Sequence, residues 1–209
     1  MSLAGIILAA GDSTRMGRDK ALLPWPPTGS HTLDSTAGSE TLLSSAIRAL
    51  EQHCEVILVV AGKNELGIQP VVWSCGASLV RNPNPELGQF SSLQTGLREV
   101  MRRGQDNAMV TLVDRPPPES QTLLDLVDSF GRRDHGVWAV IPEYEGKHGH
   151  PILIGREMIG AFLNAPASAN AREIEHENQQ RIAYVAVNDP RVTANVDTPE
   201  EYGSIGTRL

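Results

Sequence analysis

Residues 3–10, LAGIILAA, are an uninterrupted apolar run that stops at Gly11. So short and so apolar a run suits a strand covered on both faces, as in a parallel sheet. Residues 11–20, GDSTRMGRDK, are polar and punctuated by glycine, which reads as a loop. No basic residue precedes the run, and Asp12 and Arg15 soon follow it, so it is read as a buried strand and not as a secretion signal.

The pattern recurs along the chain. Strands are expected at Glu55–Ala61, 77–81, Ala108–Val113, Val137–Ile141, His150–Ile154 and Ile182–Val187. Helices are expected at Thr41–Gln52, from Ser91 onward, and at Glu119–Phe130, 155–164 and 168–178. Ser91 and Gln94 have capping-box spacing, which predicts a helix start at Ser91. Thr198, Pro199, Glu200 and Glu201 predict a short closing helix with a hydroxyl cap and acids in its first turn. Residues 24–40, rich in proline, glycine and hydroxyls, are expected to form a mobile surface loop. Alternating strands and helices with no linker or repeat predict one α/β domain over 1–209, a mainly parallel sheet between helical layers.

Composition narrows the function classes. Forty per cent hydrophobic and 21% charged residues exclude a disordered chain, and no apolar run approaches a membrane span. A net charge of −7 argues against nucleic-acid and anionic-membrane partners, and 4% aromatics argue against base-stacking surfaces. Cys54 and Cys75 have neither CxxC nor zinc spacing, so they are expected to be small apolar residues of a reducing, cytoplasmic protein.

In open α/β sheets ligands bind beyond the carboxyl ends of the strands. The segments expected there are Gly11–Lys20, Gly62, Asn82–Ser92, Asp114–Pro116 and Asn188–Asp197. In the first, Ala9, Ala10 and Gly11 let a ligand approach the backbone, and successive amides can form an anion nest. Arg15 adds a forked donor and Lys20 a point charge, both suited to phosphate oxygens. The loop is neither a P-loop nor a dinucleotide fingerprint, and an ordinary turn with solvated charges would read the same way.

The stretch Leu8-Ala9-Ala10-Gly11-Asp12-Ser13-Thr14-Arg15-Met16-Gly17 through Lys20 resembles the signature loop of the MobA-like nucleotidyltransferases, the molybdenum cofactor guanylyl- and cytidylyltransferases. Gly88 to Leu97, Asp114-Arg115-Pro116, Gly149-His150-Pro151 and Asn195 to Glu201 resemble later segments of the cytidylyltransferase branch, in order. The resemblance implies a Rossmann-like domain of the nucleotide-diphospho-sugar transferase kind. Its nucleotide half would span about 1–115 and its acceptor half about 116–209. The implied reaction is Mg²⁺-dependent transfer of CMP from CTP to a phosphomonoester, molybdopterin above all, with release of pyrophosphate. Leu8, Ala9, Ala10, Gly11, Ser13, Arg15 and Lys20 would then hold the triphosphate. Asn82, Gly88, Ser91 and Ser92 would meet base or ribose. His150 and Arg172 would face the acceptor.

Arg15, Lys20 and Asp114 would be catalytic. Asp114 leaves an apolar strand and suits Mg²⁺, which takes one or two carboxylates plus substrate phosphates. By analogy with the family Asp197 is the second ligand, with Asn195 as its rival. Ala10, Ser91-Ser92 and Gly149-His150-Pro151 favour CTP over GTP by resemblance. A guanylyl- or sugar-phosphate nucleotidyltransferase and a non-catalytic maturation factor that docks on a molybdoenzyme partner are the alternatives. The chain departs from the family at Arg115, where glutamine is usual, at Pro116-Pro117-Pro118, in the long 24–40 stretch, and at 168–172, which lacks the usual acid and glycines.

Overall fold

The computed structural model describes residues 1–11, 16–27, 40–166 and 168–208. Its strands are β1 (Ala4–Leu8), β2 (Val56–Ala61), β3 (Ser78–Arg81), β4 (Asn107–Leu112), β5 (Ala139–Tyr144), β6 (Lys147–His148), β7 (Ile152–Gly155) and β8 (Ile182–Ala186). Its α-helices are α1 (Leu42–Glu51), α2 (Glu65–Ser74), α3 (Gln89–Arg102), α4 (Ser120–Gly131), α5 (Arg156–Asn164), α6 (Ala171–Glu177) and α7 (Pro199–Arg208). Among the described residues, no helix is long and apolar enough to cross a membrane.

The strands form one sheet in the order β3-β2-β1-β4-β7-β5-β6, with β8 pairing in parallel with β5. β1, β2, β3 and β4 are mutually parallel, and β7 runs antiparallel to both β4 and β5. Thus β5 and β8 share the direction of the first four strands, and their carboxyl ends open on one side of the sheet.

Side chains of a strand alternate between faces, so β1 serves both halves of the core. Ile7 joins Leu43, Ile47, Ile68, Leu126 and Phe130 on the face covered by α1, α2 and α4. Ile6 and Leu8 join Phe90, Leu97, Val100, Met158 and Phe162 on the face covered by α3 and α5. A smaller cluster of Leu23, Leu42, Val196 and Ile205 seats α7.

Two readings of the sequence change. The helix expected from Ser91 starts at Gln89, after Gly88 at φ 92°, a conformation that glycine adopts without strain. Ser91 and Gln94 form no capping box. Ser91 Oγ donates to Gly88 O at 2.7 Å, and Gln94 Nε2 donates to Phe162 O and Ala165 O, closing the end of α5. Helix α2, which was not expected, carries Pro70 within it, and its apolar residues show little one-sidedness. Of the expected loop at 24–40, residues 28–39 lie outside the described residues. Its described ends are pinned, with Pro24 bridging Thr41 and Trp25 N donating to Glu40 O at 2.8 Å.

The segment after β8 is tied down twice. Asp189, 1% exposed, accepts from Glu119 N at 2.8 Å and from Thr122 Oγ1 at 3.0 Å, capping α4 from a distance. His150 N donates to Val192 O at 2.8 Å, and a Cβ on Gly149 would lie 2.3 Å from that same oxygen. Gly149→Ala is therefore expected to cost about 1–3 kcal/mol in a urea melt. Gly67→Ala, in α2 with open space around it, is expected to stabilise by about 0.4–1 kcal/mol. Equal midpoints for the two variants would show that the Gly149 contact is not tight.

Candidate active site

The carboxyl ends of β1 and β4 floor a cleft of about 320 Å³. Leu8, Ala10, Gly11, Lys20, Gly88, Ser92, Asp114 and Asp197 line it. All are residues singled out in the sequence. Asp114 follows β4. Asp197 arrives from the far end of the chain because Val196 is fully buried and its N donates to Asp114 O at 2.9 Å. Thr198 caps α7: its Oγ1 accepts from Glu201 N, while Glu201 Oε2 accepts from Thr198 N at 3.0 Å and Asp197 N at 2.8 Å. With the cap supplied by Thr198, the Asp197 carboxylate turns to the cleft instead.

Lys20 stands between the two acids. Its Nζ lies 2.6 Å from Asp197 Oδ1 and 3.3 Å from Asp114 Oδ2, and Lys20 itself is 8% exposed. A buried ammonium requires such partners, since desolvation disfavours an unpaired charge. The short helical turn at Lys20–Leu22 places it, with Asp19 Oδ1 accepting from Ala21 N at 3.0 Å. Asn64, which carried no signal in the sequence, fixes that turn. Its Nδ2 donates to Asp19 Oδ2 at 2.7 Å and to Ala9 O at 2.9 Å, and its Oδ1 accepts from Gly62 N.

Other expected residues take different places. Ala9, Asn82 and Ser91 do not line the cleft. Asn82, 2% exposed, donates to both Ser91 Oγ and Ser92 Oγ at 2.9 Å and accepts from Asn84 N. This network holds the turn that delivers Gly88 and the amino end of α3 to the cleft. The amino end of a helix favours anions. Ser13 and Arg15 lie outside the described residues. Asn195 is exposed and does not line the cleft. Lys63, outside the expected segments, also lines it, as do Glu86 and Gln89 of the Asn82–Ser92 segment, to which no individual role was given.

A second cleft, of about 950 Å³, adjoins the first and shares Leu8, Gly88, Gln89 and Leu112 with it. His150 and Arg172 both line it, together with Arg115, Lys147, His148, Glu175 and Tyr184. The His148 and Tyr184 rings stack with centroids 4.0 Å apart. Burial, with Arg115 nearby, pushes the His150 imidazole down to about 3, so it is neutral. Burial lifts the Glu175 carboxyl to about 7, partly opposed by Arg172.

Backbone of small residues beside a cation held by two carboxylates equips an α/β protein to handle phosphate esters. Comparison with known proteins gives that class its family. Residues 5–182 match the MobA-like NTP transferase domain, and the chain belongs to that family. It is a nucleotidyltransferase. A protein of Mycobacterium avium (strain 104) named "Probable molybdenum cofactor guanylyltransferase" is 30% identical over 202 residues, covering 95% of this chain and 92% of that one. Rv0371c from Mycobacterium tuberculosis H37Rv has a similar fold, with a TM-score of 0.77 at 21% identity over the whole of both chains. Its complex with manganese gives 0.76 at 21% identity, again over both whole chains.

His150 is expected to stay neutral from about pH 8 down to about pH 5, with flat imidazole shifts in NMR spectra. A midpoint near the ordinary value of 6.5 would place the ring in open water.

Proposed function

We propose that the chain transfers CMP from CTP to the terminal phosphate of an acceptor, with molybdopterin the favoured acceptor, and releases pyrophosphate. The smaller cleft would take the nucleotide and the larger one the acceptor, dividing the domain near residue 115. The observation that carries this reading is the convergence of Asp114 and Asp197, from distant parts of the chain, on one cationic point.

A terminal phosphate oxygen of the acceptor attacks the α-phosphorus in line. The bond from that phosphorus to the oxygen bridging it to the β-phosphate breaks, and the electron pair leaves with pyrophosphate. Such a step needs positioning and charge neutralisation more than covalent help from the protein. Amides after Gly11 and at the start of α3 would hold phosphate oxygens, and Lys20 would offset the charge of the leaving group. Ser92 and Gly88 would meet ribose or base.

Mg²⁺ fits the residues present. Asp114 Oδ1 is buried and has no hydrogen-bond partner among the described residues, so it has an acceptor to spare beside Asp197. Two carboxylates are what Mg²⁺ asks of a protein when substrate phosphates supply the remaining oxygens. When bound, the ion would polarise the phosphoryl oxygens and neutralise developing charge. Asp114 and Asp197 would hold it.

Ala10 lines the nucleotide cleft and supports the choice of CTP. The guanylyltransferase name of the mycobacterial relative favours GTP as the second reading. Pyrophosphate release is to be measured with each of four nucleotides and Mg²⁺, with and without molybdopterin. CTP- and acceptor-dependent release is expected, and Asp114→Ala and Asp197→Ala are each expected to lower it on the order of 100-fold or more. Release with GTP alone would reverse the choice of nucleotide. Nucleotide binding without release across a panel of phosphomonoesters would instead favour a maturation factor without catalysis.

A further inference from the structure

Arg115 follows Asp114 in the chain, yet the two line different clefts: Asp114 the smaller one, Arg115 the larger. The guanidinium is anchored by Nη1, which donates to Ala194 O at 3.1 Å. Its Nε is buried and has no hydrogen-bond partner among the described residues. A buried donor on a charged group is unfavourable when unpaired, and its persistence calls for an explanation such as a ligand that completes it. Near Arg115, burial lowers the His150 pKa and so disfavours a second positive charge there. The other cations of this cleft, Lys147 and Arg172, belong to β6 and α6, whereas Arg115 adjoins an acid of the smaller cleft.

We propose that Arg115 binds the terminal phosphomonoester group of the acceptor through its Nε–H edge and holds it at the junction of the two clefts. The proposal rests on the reading of the larger cleft as the acceptor side. The physical demand is plain. An anionic attacking phosphate must come within bonding range of another phosphate beside two carboxylates, and a guanidinium at the junction offsets that repulsion. Its planar fork matches two phosphate oxygens, which the neutral amide of glutamine cannot do with equal strength. Arg115 would thus make this chain select acceptors by a terminal phosphate.

A purely structural Arg115 would do something else. Through Ala194 it would hold the segment that carries Asp197, so its loss would disturb nucleotide binding. The test separates the two. Phenyl phosphate, which carries no nucleoside, is titrated into the full chain without nucleotide. Binding is followed by the arginine Nε–H signals in ¹H–¹⁵N spectra and by calorimetry. One Nε–H signal is expected to move to saturation and to be absent from Arg115→Gln. In that variant phenyl phosphate is expected to bind at least about 10-fold more weakly, while affinity for CTP with Mg²⁺ changes by less than about twofold. Arg115→Lys, which retains the charge and lacks Nε–H, supplies the assignment if the glutamine variant does not fold. Unchanged phenyl phosphate affinity in Arg115→Gln, no responsive Nε–H signal, or a parallel loss of CTP affinity would each overturn the proposal. None of these measurements requires turnover, so failure of the transferase reading would register separately, as absent pyrophosphate release.

Discussion

A single backbone hydrogen bond, from Val196 N to Asp114 O, joins the end of the fourth strand to a segment near the far end of the chain. It holds because Val196 is fully buried against Leu23, Leu42 and Ile205, and because Asp189 and Val192 anchor the preceding residues. Two carboxylates are thereby brought to one place. Like charges so close repel unless a cation lies between them, and the Lys20 ammonium does. The cleft is thus a charge cluster whose parts would be unfavourable apart: a buried lysine without acids, or paired acids without a cation.

The rest of the site is arranged around that cluster by groups that do not line the cleft. Asn64 and Asp19 fix the turn carrying Lys20. Asn82 and Ser91 fix the turn before α3. Gln94 ties α3 to the end of α5, whose neighbour α6 contributes Arg172 to the larger cleft. Asn82, Ser91 and Gln94 are buried, Asn64 and Asp19 half-buried, and their hydrogen bonds are made within the protein, the condition under which buried polar groups make a site rigid instead of weakening it. Placing Asp114 and Arg115 on different clefts lets one short turn serve both.

How much of this was legible in the sequence depended on the range of the interaction. The strand Leu3–Ala10 and the helix at Glu119–Phe130 were recognisable because burial periodicity is written into neighbouring residues. Thr198 was recognisable as a cap for the same reason, since Glu201 lies one turn away. Ser91 and Gln94 have an equally good local pattern that the fold does not use, since their partners are the carbonyl of Gly88 and those at the end of the distant α5. Helix α2 is hidden in the sequence because Pro70 and a nearly even distribution of apolar residues mask its period; Leu66 and Trp73 are exposed on it while Ile68 and Val72 are buried. Asn64 gave no sign at all, since an asparagine after a strand is as common in plain turns as at a site.

The sequence by itself determined the alternation of buried strands and amphipathic helices, and therefore an α/β sheet with its loops at one edge. It also determined which residue types stood at the strand ends, because local hydrophobicity and chain chemistry are properties of contiguous residues. Only the tertiary structure decided that Lys20, Asp114 and Asp197 form one cluster, that Thr198 leaves Asp197 free of the cap, and that Arg115 lines a different cleft from its neighbour. Those outcomes depend on contacts between residues far apart in the chain, and no local pattern encodes the distance that folding closes between them.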